Sequence, residues 1–120
     1  MSVLDTKKTK VLSLPGRNIK FIVTPQNSEI KEMVMCLTEI PRGGSLPVHE
    51  HSASAEVMYL TSGTGEAEIA GEIFPVSEES AICVPKGVKH TVRNTGEKNL
   101  NMVCAFSPAI DTKPYEEQSK

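Results

Sequence analysis

The sequence has no tryptophan, and aromatic residues fill only 4% of its 120 positions, so no stacking platform for sugars or flavonoids is evident. No apolar run approaches the ~20 residues that a membrane-spanning helix requires. The opening stretch Met1–Lys10 is polar and lysine-bearing, without the apolar core of a signal peptide. Basic residues are not in excess: 13 Lys and Arg face 15 Asp and Glu, a formal charge of −2. That balance gives no basic stripe to follow a phosphate backbone, and nucleic acid is excluded as an expected partner. Cysteine is sparse. Cys36, Cys83 and Cys104 stand in apolar runs, without a Cys-x-x-Cys spacing, and read as buried thiols of a cytoplasmic protein. Also missing is any helical period sustained over three turns.

What is present is a succession of short alternating segments separated by Gly and Pro turns. Residues 1–18 read as a lead-in ending near Pro15-Gly16, and Ile19–Val23 as an edge strand. Glu32–Ile40 alternates, with Met33, Met35 and Leu37 on one face and Val34, Cys36 and Ile40 on the other. Glu56–Leu60 follows, then a hairpin of Thr64–Ala70 and Ile73–Val76 around Gly71-Glu72. Ala81–Val84, His90–Arg93 and Leu100–Phe106 complete the strands, the last with Leu100, Met102, Cys104 and Phe106 on one face. The polar stretch 111–120 is a loose tail or a short exposed helix. Many short strands with regular turns predict an all-β, single-domain barrel or sandwich over residues 19–110.

The chain has only three histidines, and two of them form His49-Glu50-His51. On an extended chain, residues i and i+2 share a face, so the two imidazoles can converge on one ion. Glu56 opens the next strand and can return a carboxylate to the same cavity. His90 follows the Pro85-Lys86-Gly87 turn, which aims its strand back across the barrel. A His-x-His pair alone is a weak sign of metal.

The wider pattern is more specific. Gly43, His49, Glu50, His51, Glu56 and Gly63 carry the spacing of the first cupin motif. Pro85-Lys86-Gly87-Val88-Lys89-His90-Thr91-Val92-Arg93-Asn94 resembles the second at Pro, Gly, His and Asn. The one departure is Glu79, a turn position where the family pattern has glycine. The resemblance covers roughly residues 31–107 and is closest to the minimal single-domain cupins. It implies a double-stranded β-helix, or jelly roll, with one divalent transition metal held by His49, His51, Glu56 and His90. It also implies a homodimer, with Ile19–Val23 lying along the partner's sheet.

Three imidazoles and a carboxylate suit Mn, Fe, Co, Ni, Cu or Zn, and affinity alone does not choose among them. Open coordination positions would invite a small chelating, oxygenated metabolite. Met35, Met58, Leu60, Met102, Cys104 and Phe106 are the candidate pocket lining, and Arg42 the candidate greeter of an anionic substrate at the entrance. Alternation points Tyr59 away from the cavity, and no general acid or base stands out. Enzymatic turnover of the dioxygenase, isomerase or decarboxylase kind is the leading expectation. A metal-dependent binding or sensing module and a purely structural metal are the alternatives.

Overall fold

The computed structural model describes residues 1–119. A 3₁₀ turn at Thr6–Lys8 precedes nine strands and one helix: β1 (Leu12–Leu14), β2 (Arg17–Val23), β3 (Val34–Ile40), β4 (Ala55–Ser62), β5 (Thr64–Ile69), β6 (Glu72–Ser77), β7 (Ala81–Val84), β8 (His90–Asn94), β9 (Leu100–Ser107) and α1 (Lys113–Gln118). All named pairings are antiparallel. A six-stranded sheet in the order β1-β2-β3-β9-β4-β7 faces a three-stranded sheet β6-β5-β8. The fold is the cupin jelly roll.

Turn chemistry explains where the strands stop. The β5–β6 hairpin has a two-residue loop, Ala70-Gly71, and both residues take positive φ (51° and 84°). That is the turn whose twist matches the flanking strands. Pro15-Gly16 joins β1 to β2, with Gly16 at φ 79°. A Cβ on Gly16 would collide with the Ser45 carbonyl, so glycine lets this turn lie directly on the loop that leads into the His-x-His segment.

Between the sheets lies one continuous core that includes Val34, Ile40, Met58, Leu60, Val92, Leu100 and Met102. β9 buries Leu100, Met102, Cys104 and Phe106, as its alternation predicts. β3 differs from the expected interior lining. Its inward face is Val34, Cys36, Thr38 and Ile40, whereas Met35 and Leu37 point outward. Register decides this: Cys36 pairs with Cys104 and Val34 with Phe106, so residues opposite the buried face of β9 are buried too.

β1 pairs only with Arg17–Ile19 of β2, so among the described residues Lys20–Val23 have a strand partner on the β3 side alone, as an edge segment does. Two other expectations are corrected. The stretch read as lead-in contains β1, whose Leu12 and Leu14 are buried in the core. Cys83 is exposed, since it faces outward on β7. In the C-terminal tail, α1 packs Tyr115 edge-on against Phe21, with ring centroids 5.3 Å apart; Lys120 lies outside the described residues.

Candidate metal centre

Backbone pairing presets the histidines. Residues 45–51 run extended beside β8: Leu46 N donates to Val92 O at 2.9 Å, and Gly87 N donates to His51 O at 2.7 Å. Between them, His49 and His90 exchange both backbone bonds, at 3.0 and 2.9 Å. Their rings lie 4.1 Å apart, and His51, two residues on from His49, is 5.7 Å from His90. Glu56 reaches the same point from the large sheet, on the inward face of β4. One ligand atom from each of the four residues falls within 4.8 Å of all the others.

Hydrogen bonding fixes which nitrogens face inward. His49 Nδ1 lies 2.6 Å from Pro47 O, and His90 Nδ1 lies 2.9 Å from Val88 O. A carbonyl only accepts, so both Nδ1 atoms carry hydrogen and both Nε2 atoms of the neutral rings present lone pairs. His90 Nε2 then faces Glu56 Oε1 at 3.1 Å, and His51 Nε2 faces the same oxygen at 3.6 Å. His51 Nε2 is buried without a hydrogen-bond partner. Lone pairs aimed at a carboxylate oxygen in a buried site call for a cation between them, either a proton or a metal ion. The donor set fits a divalent transition metal, and the cluster could hold one.

Electrostatics point the same way. Burial pulls His49 below the usual histidine value, against the opposing pull of the Pro47 carbonyl. Burial would lower His90 as well, but Glu56 beside it outweighs burial and holds it above the ordinary value. For Glu56, burial alone would push the carboxyl up; the adjacent His51 and His90 imidazoles outweigh it and hold the carboxyl below the usual range.

The cluster opens into a cavity of about 530 Å³, within the range of small-molecule sites. Cys104 and Phe106 line it. Met58, Leu60 and Met102 are fully or almost fully buried in the core and do not reach the cavity wall. Met58 does share the inward face of Glu56, but it sits deeper between the sheets. Met35 is on the opposite face of β3. Arg42 is exposed and paired with Glu97 at 3.2 Å, away from the cavity, because its turn projects from the far end of the 45–51 segment.

Sequence reasoning missed much of the other wall. Arg17 and Phe21 on β2, Cys36 and Thr38 on β3 and Tyr115 on α1 all line the cavity. The neighbouring Cys36 sulfur and burial push the Cys104 thiol up, so it remains protonated. Burial, joined by the negative charge of Glu56, pushes the Tyr115 phenol up to about 12, leaving it a proton donor at neutral pH. Only Cys36 and Thr38 had a findable signal, the β3 alternation set in register with β9.

A jelly roll carrying a three-histidine, one-glutamate cluster that could hold a metal ion defines a cupin architecture. The chain belongs to the cupin family: the cupin domain matches residues 36–106. It is 27% identical over 106 residues to the polyketide synthase CurC of Streptomyces cyaneus, covering 88% of this chain and 69% of that protein. An oxalate-binding protein of Thermotoga maritima is 25% identical over 76 residues, 63% of each chain. Among solved structures, ectoine synthase from P. lautus superposes with a TM-score of 0.82 at 19% identity, over 99% of this chain and 87% of that one.

Proposed function

We propose that this cupin holds one divalent transition metal through His49, His51, Glu56 and His90 and uses it to turn over a small chelating, oxygenated metabolite. The observation that carries the reading is the orphaned His51 Nε2 beside a carboxylate, at the mouth of a cavity sized for a small ligand. When bound, a divalent ion supplies Lewis acidity, and a redox-active one supplies electron transfer as well. The chain's own residues do the rest. Main-chain carbonyls of Pro47 and Val88 lock two imidazoles in the metal-accepting tautomer. Leu46, Phe106 and Ala109 restrict water at the wall, and the Tyr115 hydroxyl can donate a hydrogen bond to a ligand oxygen. The names of its relatives, an oxalate binder and an ectoine synthase among them, support a small polar ligand.

A second reading, a binding or sensing module without turnover, is favoured by one observation. All three histidines of the chain lie in the ligand set and Tyr115 is held protonated far above neutrality, so the cavity wall has neither a spare imidazole nor a phenolate to act as base. Elemental analysis of tag-free protein, followed by assay of keto- and hydroxy-acids with and without O₂, separates the two. We expect close to one metal per chain, at least ~80% of it lost in His51→Ala or His90→Ala, together with product formation. Metal and ligand binding without product would establish the sensing module. Full metal occupancy in both variants would reject the site.

The homodimer belongs to the same proposal, on a different surface. The outward faces of β3, β9, β4 and β7 carry two apolar rows in register, Leu37-Val103-Tyr59 and Met35-Ala105-Val57-Cys83. Val57 and Tyr59 are 46% and 43% exposed, an apolar patch of the kind that pairs subunits.

A further inference from the structure

We infer that Arg17 is the second anchor of the cavity, and that the ligand carries a carboxylate which pairs with it while other oxygens of the same molecule face the histidine cluster. The inference rests on the metal reading above and deepens it to a substrate class, small chelating acids.

The chain has three arginines, and the contrast between them is the starting point. Arg42 pairs with Glu97, and Arg93 with Glu66 and Glu68, all on the surface. Arg17 is 7% exposed and forms no ion pair among the described residues. Its Nη1 donates to Pro15 O at 3.1 Å, and its Nε is buried without a partner. A guanidinium stays charged under all ordinary conditions, and leaving one buried and unpaired is strongly unfavourable. A fold seldom carries that cost unless something outside the chain offsets it.

The cavity says what that something is. Arg17 lines it together with His49, His51 and Glu56 of the cluster. Two other carboxylates border the same space, Glu50 and Asp111; both are exposed, and neither forms an ion pair with Arg17. A divalent ion, the Glu56 carboxylate and the Arg17 guanidinium would sum to about +2, which a dianionic acid neutralises. The guanidinium fork matches a carboxylate in shape as well as charge. Local structure holds it in place. Arg17 directly follows the Pro15-Gly16 turn, which Gly16 seats on Ser45, so the turn ties Arg17 to the segment that presents His49 and His51.

The test compares chelating acids that differ only in a distal carboxylate, 2-oxoglutarate with 2-oxopentanoate and oxaloacetate with 2-oxobutyrate. Binding is measured calorimetrically on zinc-loaded protein, with zinc content recorded in each sample. In wild-type protein at least one diacid should bind about tenfold or more tighter than its monoacid partner. In Arg17→Met that advantage should vanish with zinc content unchanged, and the ligand-free melting temperature should be equal or higher, because a buried unpaired charge has gone. Arg17→Lys keeps the charge but loses the fork, and should fall between the two; it serves if the Met variant does not fold. An advantage that persists in Arg17→Met, or no advantage for either diacid in wild type, would overturn the inference. Wild-type protein that takes up no zinc would instead reject the metal reading. The diacids' effect on the melting temperature of metal-free protein would then decide for Arg17: stabilisation of wild type but not of Arg17→Met would uphold it, and no difference would refute it.

Discussion

Glu79 shows how a single residue can keep a family turn at a local cost. The turn position where cupins have glycine takes φ 73° here, a left-handed conformation that disfavours any side chain. The turn survives because its backbone is tied on both sides. Glu79 N donates to Leu60 O at 2.9 Å, and Leu60 N donates to Ser80 O at 3.0 Å. Glu79→Gly removes the steric cost and gives back some of it as unfolded-chain entropy. We expect a net gain of about 0.5–1 kcal/mol and a melting point higher by roughly 2–5 °C, read by calorimetry. Tyr115 offers a pH-dependent counterpart. Its folded value of about 12 exceeds the ordinary 10, so the folded chain keeps a proton that the unfolded chain releases. Its contribution to stability is therefore complete below pH 10 and is lost as pH rises towards 12. Denaturant unfolding across that window should fall less steeply for Tyr115→Phe than for wild type; identical slopes would remove the phenol from the account.

At the scale of elements, the two motif segments were legible because both chemistry and spacing are written locally. His49 and His51 two apart, Glu56 at a strand head and His90 after a Pro-Gly turn needed no long-range knowledge. The structure adds why the spacing works: the 45–51 segment borrows β8 as its hydrogen-bonding partner. Asn94 serves that arrangement without chemistry of its own, donating through Nδ2 to Ile40 O and Lys98 O, each at 2.8 Å. Alternation alone could not choose the inward face of β3, because both faces of that strand are apolar. Only the pairing of Cys36 with Cys104 settles it. The contribution of β1, β2 and α1 was illegible for a further reason. Arg17 and Tyr115 are separated by almost the whole chain, and nothing local announces that two distant polar residues share a wall.

For the whole molecule, the outer rows of the large sheet decide the assembly. Tyr59→Glu places a charge at one end of the Leu37-Val103-Tyr59 row without touching the inward face of β4. Sedimentation should show a dimer for wild type and a monomer for the variant, with unchanged far-ultraviolet dichroism. A monomeric wild type would count against the patch as an interface. The origin of the cavity's two sides has a different consequence. The cluster side comes from positions 49, 51, 56 and 90, all inside the cupin-matched span of 36–106. Part of the facing wall, Arg17, Phe21, Ile110 and Tyr115, comes from segments on either side of that span, while Cys36 and Thr38 come from within it. Substitutions in those flanking segments can therefore reshape one half of the cavity while leaving all four residues at its other pole in place.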